Sequence, residues 1–222
     1  MANLGAGFTA VLDRLIPYFF ILRRFFNQKG VIRLKQGDAL IVVDVQKDFL
    51  PDGALAVAGG DKIIQVVNAY IERFMSSHLP IFATRDWHPR QHRSFAAQGG
   101  PWPVHCVADS KGAEFASGLL LPDTVIVVSK GDTAEAEGYS AFENPKLKRR
   151  LDNASIQRLF VCGIATDYCV LQTVQDALKL DYRVFLLQDA LAAANVHPQD
   201  GVEAERLMAD GGARLLTLDE LA

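Results

Sequence analysis

The 222-residue sequence is poor in cysteine, with three in all, and it has no long apolar run. Because the odd set of Cys106, Cys162 and Cys169 argues against a disulfide framework, we expect reduced thiols and a cytoplasmic protein. The longest uncharged apolar run covers residues 15–22, which is far too short to cross a bilayer as a helix. No small-residue cleavage site clearly follows that run, so a signal peptide is not favoured.

An excess of positive charge is also missing. The chain carries 23 basic and 26 acidic residues, for a net charge of −3, and no basic patch is interleaved with aromatic residues. We therefore expect no nucleic acid partner. Half of the residues are hydrophobic and 22% are charged, which is typical of a soluble globular protein, and the length suits one large domain.

Residues 1–37 differ from the rest of the chain because they contain six basic residues and one acid. Apolar side chains recur there at helical spacing, although Pro17 would kink or restart such a helix. A basic amphipathic helix can lie on an anionic membrane surface, or it can dock on a partner subunit or on the domain itself. We favour docking. The predicted organisation is an N-terminal basic amphipathic extension, residues 1–37, followed by one domain over residues 38–222.

Short apolar runs alternate with helical patterns along that domain. The runs predict six strands, at residues 39–45, 79–84, 124–129, 158–162, 182–187 and 213–217. The helical patterns cover residues 61–74, 145–152, 167–180 and 199–210. This alternation predicts an α/β fold, a doubly wound, mostly parallel six-stranded sheet with helices on both faces. In such folds ligands bind at the carboxyl ends of the strands.

The stretch 161–170 carries the most informative cysteine. We expect Gly163 to end the fourth strand, Thr166 to cap the following helix with its side-chain oxygen, and Asp167 to lie in the first turn. Cys169 would then lie at a helix N-terminus, where backbone N–H groups and the helix dipole favour a thiolate and can hold an oxyanion. The alternative is a small buried cysteine that only fills space in the core.

Polar residues also stand at the ends of other strands. One interpretation is that Asp44 and Lys130 form an ion pair that joins two neighbouring strands. The other interpretation adds Cys169, because an aspartate near a thiol can accept its proton while a lysine stabilises the thiolate and the carboxylate. Three polar residues at three strand ends of one fold favour the second interpretation.

A second polar group follows the second strand. Asp86, His88 and His105 offer one carboxylate and two imidazoles, which suit a divalent transition metal such as zinc, iron or manganese. Such a set leaves positions open for water or a substrate nitrogen. His92 is a candidate fourth ligand or a neighbour of the ligands. Because histidines in long loops are often only solvated, the spacing alone leaves the metal site open.

Longer motifs connect these residues to a known family. The motifs are IVVDVQKDF (41–49), ALAVAGG (54–60), TRDWHP (84–89), SF (94–95), WPVHC (102–106), SKG (129–131), YSAF (139–142) and GIATDYCV (163–170). Together they resemble the motifs of nicotinamidases, in the isochorismatase-like hydrolase superfamily, and the match covers residues 38–220. The resemblance implies hydrolysis of nicotinamide to nicotinate and ammonia, for NAD salvage, through a cysteine thioester.

The resemblance also implies roles for the reacting groups. Cys169 would be the nucleophile, Asp44 the acid/base group and Lys130 the third catalytic residue. The backbone amides of Ala165 and Cys169 would form the oxyanion hole, next to a cis peptide bond between Ile164 and Ala165.

A metal and a ring-binding wall are implied in the same way. Asp86, His88 and His105 would hold the divalent metal that anchors the pyridine nitrogen. The residues that would surround the pyridine ring are Phe49, Leu55, Trp102 and Tyr139.

Two other functions remain open from the sequence. One is a cysteine hydrolase of the same fold that acts on a different small amide or carbamoyl group, which a lack of metal in the purified protein would favour. The other is a non-catalytic binding protein, against which the presence of Asp44, Lys130 and Cys169 argues. The expected partners are the small-molecule substrate and further copies of the chain in a homo-oligomer.

Overall fold

The computed structural model describes residues 30–222, and most of the predicted N-terminal extension lies outside the described residues. The core is a six-stranded sheet in which every pairing is parallel. The strands are β1 (Asp38–Val43), β2 (Ile81–Asp86), β3 (Ile126–Lys130), β4 (Arg158–Ile164), β5 (Arg183–Ala192) and β6 (Arg214–Leu216). The predicted α/β class with a parallel six-stranded sheet is confirmed.

Four α-helices within residues 30–222 cover the sheet. They are α1 (Ile64–Ser76), α2 (Pro145–Asn153), α3 (Leu171–Lys179) and α4 (Asp200–Asp210). Alternate residues of β1 enter two separate cores, because successive side chains of a strand point to opposite faces. Leu40 and Val42 pack with α1 on one face, and Ile41 and Val43 pack with the other three helices on the opposite face. Helices therefore lie on both faces, as predicted.

The order of the strands across the sheet is β3-β2-β1-β4-β5-β6. β1 lies in the middle of the sheet, and β2 and β3 follow it on one side. The chain then returns to place β4 on the other side of β1, and β5 and β6 follow β4 toward that edge. The carboxyl ends of β1 and β4 therefore flank the point where the winding reverses, which is where open α/β sheets bind their ligands.

Two predictions about the fourth and fifth strands are wrong. Gly163 does not end β4, which continues to Ile164. Its φ of +120° lies in a region that glycine adopts far more readily than other residues. An added Cβ would lie 2.0 Å from the carbonyl oxygen of Val43 on the adjacent strand. The pairing with β5 shifts register at this glycine, and β5 extends to Ala192, well beyond its predicted end at residue 187. The extension brings β5 to the same edge as the polar strand ends.

The segment that precedes β1 is tied to the end of the chain. The N–H of Ile32 donates to the carbonyl of Glu220 at 2.7 Å, and the N–H of Leu34 donates to Ala222 at 3.2 Å. The boundary of the domain at residue 38 remains a prediction, and these bonds favour including residues 32–37 in the folded unit. Within residues 30–222, none of the helices has the length and apolar character needed to cross a membrane.

Candidate active site

Cys169 lies on a π-helical turn, Thr166–Val170, which we call the cysteine turn and which joins β4 to α3. Its preceding residue, Ala165, is extended, and no side chain caps the turn. The predicted capping role of Thr166 is therefore wrong, because this residue lies inside the first turn rather than in front of it. The peptide bond between Ile164 and Ala165 is cis, as the resemblance implied.

Lys130, the last residue of β3, is the buried cation of the site, with 1% of its surface exposed. Its Nζ lies 2.8 Å from a carboxylate oxygen of Asp44 and 3.2 Å from Cys169 Sγ. It also donates to a carboxylate oxygen of Asp86 and to the carbonyl of Gly138. The predicted ion pair between Asp44 and Lys130 exists, but the strands that carry them are not neighbours. The side chain of Lys130 extends past the end of β2, where Asp86 also forms an ion pair with its ammonium group.

Asp44 follows β1 and is fully buried. Thr84 donates a hydrogen bond of 2.7 Å to Oδ1 of Asp44, which leaves Oδ2 facing the ammonium. A carboxylate oxygen of Asp44, one of Asp86 and the sulfur of Cys169 all lie within 4.8 Å of one another. The predicted catalytic group is thus assembled in one place, and Asp44 is within reach of the thiol proton.

Burial controls the protonation of these groups. Burial raises the pKa of the Cys169 thiol well above its ordinary value, and the opposing charge of Lys130 does not cancel that effect. The thiol therefore needs a base, and a favourable effect of the turn on the thiolate stays a prediction. Burial also raises the pKa of Asp44 to about 6, against the lowering effect of Lys130. Asp44 is thus a carboxylate at neutral pH, but one that can hold a proton. Burial lowers the pKa of Lys130, but the carboxylates of Asp44 and Asp86 outweigh it, so this pKa lies well above its ordinary value.

Asp86, His88 and His105 converge on one point. Oδ2 of Asp86 lies 3.5 Å from Nε2 of His88 and 4.0 Å from Nε2 of His105, and all three side chains are buried. The Nδ1 atoms of the two histidines face the carbonyl oxygens of Gly131 and Pro103, at 3.0 and 2.8 Å. A carbonyl can only accept, so each Nδ1 carries the proton and each Nε2 presents a lone pair toward Asp86.

This donor set fits a divalent transition ion. Zinc binds histidine nitrogens and carboxylate oxygens at roughly 2.0–2.2 Å, and hydrogen bonds from Nδ1 to backbone carbonyls are the usual support for such ligands. The Asp86 carboxylate is shared, because Oδ1 faces Lys130 and Oδ2 faces the two histidines. Burial alone would raise the pKa of Asp86, but the charge of Lys130 outweighs burial and holds this pKa well below its usual range.

His92 does not join the three converging side chains. Its ring stacks on the ring of His88, with centroids 3.9 Å apart. The N–H of Ser94 faces Nδ1 of His92 at 3.3 Å. Burial, followed by the neighbouring His88, lowers the pKa of His92 to about 4. This geometry fits a side chain that supports His88 from behind, and a role as fourth ligand stays an open prediction.

The two polar groups open into one cavity of about 210 Å³. Cys169 lies in its wall, together with the metal-ligand candidates Asp86, His88 and His105. All four residues that were predicted to surround a pyridine ring also line it: Phe49, Leu55, Trp102 and Tyr139. The indole N–H of Trp102 donates to the hydroxyl of Tyr139 at 3.0 Å, which joins two parts of that wall.

Several residues of this wall were not predicted from the sequence. Tyr168 lines the cavity, and its ring packs edge to face on Trp102 at a centroid distance of 5.0 Å. Ala194 and Val196, from the connection between β5 and α4, also line it. The position of Tyr168 beside Cys169 was a usable signal. No local pattern marks Ala194 or Val196, because their place depends on the extension of β5.

Two polar side chains fix the backbone around the site, the buried Gln46 and the exposed Glu143. Gln46 accepts the N–H of Asp86 at 2.8 Å and donates to the carbonyl of the same residue at 2.8 Å, which fixes the end of β2. Glu143 accepts three consecutive backbone N–H groups, from Gly138, Tyr139 and Ser140, at 2.8 to 3.1 Å. These bonds fix the segment that supplies the Gly138 carbonyl to Lys130.

Comparison with known proteins adds the family. Residues 38–220 match the family model for the isochorismatase domain. The chain belongs to the isochorismatase family. Among members of the isochorismatase family, it is 38% identical over 201 residues to the nicotinamidase of Escherichia coli (strain K12), covering 81% of this chain and 94% of that protein.

Solved structures of the isochorismatase family agree with this chain closely. The pyrazinamidase of Pyrococcus horikoshii in complex with zinc is 44% identical, with a TM-score of 0.78, over 82% of this chain and 99% of the other. PnC1 from L. infantum in complex with nicotinate is 37% identical, with a TM-score of 0.80, over 87% of this chain and 98% of the other. The fold described above is thus shared with a protein that was solved with zinc and with another that was solved with nicotinate.

Proposed function

We propose that this protein is a nicotinamidase, which hydrolyses nicotinamide to nicotinate and ammonia and thereby serves NAD salvage. The observation that carries the proposal is two chemically different groups that adjoin in one cavity. The thiol of Cys169 with Lys130 and Asp44 forms one group, and the donor set of Asp86, His88 and His105 forms the other. The similarity to the E. coli nicotinamidase supports the choice of substrate.

The first half of the reaction forms a thioester. Asp44 removes the proton of the Cys169 thiol, and the sulfur attacks the carboxamide carbon to give a tetrahedral oxyanion. The backbone N–H groups of Ala165 and Cys169 hold that oxyanion. When the C–N bond breaks, Asp44 returns the proton to the departing nitrogen, which leaves as ammonia. Lys130 keeps its charge throughout and stabilises the transient thiolate.

The second half of the reaction frees the acid. Asp44, again a carboxylate, takes a proton from a water molecule as the water oxygen attacks the thioester carbon. The carbon–sulfur bond then breaks, the proton on Asp44 passes to the sulfur, and the carboxylic acid loses its proton to solvent and leaves as nicotinate. A pKa near 6 suits this role, because Asp44 must both accept and donate a proton near neutral pH.

Asp86, His88 and His105 hold a divalent transition metal in this proposal. When bound, the ion supplies a Lewis acid that anchors the ring nitrogen of the substrate. Phe49, Leu55, Trp102 and Tyr139 enclose the ring, and exclude water from it. The identity of the ion among zinc, iron and manganese is left to measurement, although zinc occurs in the Pyrococcus relative.

Three further features belong to the same proposal. The enzyme acts in the cytoplasm, where its three thiols stay reduced, and it assembles as a homo-oligomer. Residues 1–37 form an extension that docks on protein rather than on membrane.

Ammonia release from nicotinamide and from benzamide tests the substrate. Benzamide lacks the ring nitrogen, so we expect it to be hydrolysed much more slowly than nicotinamide by metal-loaded enzyme. Equal turnover of the two amides would show that the donor set of Asp86, His88 and His105 does not anchor the ring. It would favour a cysteine hydrolase that accepts a wider range of amides.

A further inference from the structure

The connection between β5 and α4, residues 193–199, forms the outer side of the cavity, and we call it the outer segment. Ala194 and Val196 in this segment line the cavity. Val196 does so with 54% of its surface exposed, so it stands at the opening rather than in the core. Nearby lies Tyr168, whose side chain forms the adjoining part of the wall.

One carboxylate fastens the outer segment to the cysteine turn. The two side-chain oxygens of Asp167 accept the backbone N–H groups of Ala194 and Asn195, each at 2.8 Å. Both bonds are charge-assisted, and both reach across 27 or 28 residues of sequence. Asn195 and Gln199 have φ values of +50° and +80°, so the segment has an irregular backbone that no helix or strand ladder holds in place.

We propose that the outer segment is the size filter of the substrate cavity, and that Asp167 is the residue that positions it. This inference rests on the proposed function. Asp167 lies one residue before Tyr168 and two before Cys169, so its two bonds set the distance between the reacting sulfur and the apolar rim. Because Ala194 and Val196 line the outer side of the cavity, a shift of the segment changes the room that is left for a ring beyond the first.

Asp167→Asn is the matching perturbation. The side chain keeps its shape, but one acceptor oxygen becomes an NH₂ donor that faces a backbone N–H. We expect the KM for nicotinamide to rise roughly tenfold while kcat stays within about threefold, because the reacting groups are untouched and one charge-assisted bond is lost. Asp176→Asn on α3 is the control, since it removes the same charge from a position outside the cavity.

The selectivity for ring size separates a size filter from a general weakening of the fold. Quinoline-3-carboxamide keeps the ring nitrogen and the carboxamide of nicotinamide and adds a fused ring. The ratio of its kcat/KM to that of nicotinamide should rise about threefold or more in Asp167→Asn and fall by a similar factor in Val196→Phe. Val196→Phe changes an exposed side chain, so it decides the question even if Asp167→Asn folds poorly.

Hydrogen exchange of the amides of Ala194 and Asn195 tests the fastening without any substrate. We expect faster exchange in Asp167→Asn and no change in Asp176→Asn. Unchanged exchange, or a ring-size ratio within twofold of wild type in both cavity variants, would overturn the inference. A wild-type protein that hydrolyses neither amide would refute the proposed function alone, and the inference would then be judged by the exchange data and by the relative binding of the two amides.

Discussion

Replacement of Lys130 by methionine removes the positive charge from the centre of the site while keeping most of the side-chain volume. The Nζ of Lys130 faces Asp44, Asp86 and the sulfur of Cys169, all of them buried. Loss of one partner from a buried ion pair costs about 3–5 kcal/mol, because the remaining charge is left without compensation. For a protein of this size each kcal/mol lowers Tm by roughly 2–4 °C, so we expect a fall of about 6–20 °C.

The same change should alter the dependence of activity on pH. Burial raises the pKa of Asp44 to about 6, and the charge of Lys130 opposes that rise. Without the lysine the pKa of Asp44 rises further, and the carboxylate form needed to accept the thiol proton appears only at higher pH. The ascending limb of kcat/KM should therefore move from near pH 6 to a higher pH, and kcat should fall by about 10²–10³.

Thermal unfolding and pH–rate profiles measure both effects. Lys62→Met is the control, since Lys62 is an exposed lysine on the turn before α1. A Lys130→Met protein that keeps the wild-type Tm to within about 2 °C and the wild-type ascending limb would refute the account of Lys130 as the shared counter-ion.

Three further predictions concern the metal, the base and the N-terminal segment. His88→Ala and His105→Ala should each lower the metal content of the purified protein and weaken nicotinamide binding, as measured by elemental analysis and calorimetry; full metal occupancy in either variant would remove that residue from the ligand set. Asp44→Asn should lower kcat by about 10²–10⁴ at every pH, because no general base remains, and a variant that keeps a wild-type pH profile would exclude Asp44 as the base. Deletion of residues 1–29 should leave kcat and KM unchanged in an amide hydrolysis assay. Deletion of residues 1–37 should lower Tm, since it removes the backbone bonds to the C-terminal segment. Loss of activity in the shorter deletion with intact folding would contradict this.

The strands and the polar residues at their ends were predictable from the sequence because local patterns determine them. The apolar run of β1 is buried throughout, and Asp44 comes directly after it. Carboxyl ends of parallel strands lie along one edge, so placing Asp86 and Lys130 at strand ends was enough to bring them together. The donor set of the proposed metal site followed from residue type and from the resemblance.

Other features of the site depend on contacts between distant parts of the chain. Thr166 has the residue type of a helix cap, but β4 continues past Gly163, which packs closely on Val43, to Ile164. The extended residue before the π-helical turn is therefore Ala165, and Thr166 lies inside the turn. Strand order is also non-local, so the sequence did not reveal that β2 separates Asp44 from Lys130. The raised pKa of the Cys169 thiol comes mainly from burial, which depends on how the whole fold packs around the turn.

The central claim is that this protein hydrolyses nicotinamide with Cys169 as the nucleophile. The most direct measurement is ammonia release from nicotinamide by wild-type protein and by Cys169→Ala, with Cys162→Ala as the control for loss of a buried thiol. We expect stoichiometric ammonia and nicotinate from the wild type, similar rates from Cys162→Ala, and no turnover from a folded Cys169→Ala. Turnover by Cys169→Ala close to that of the wild type would contradict the account.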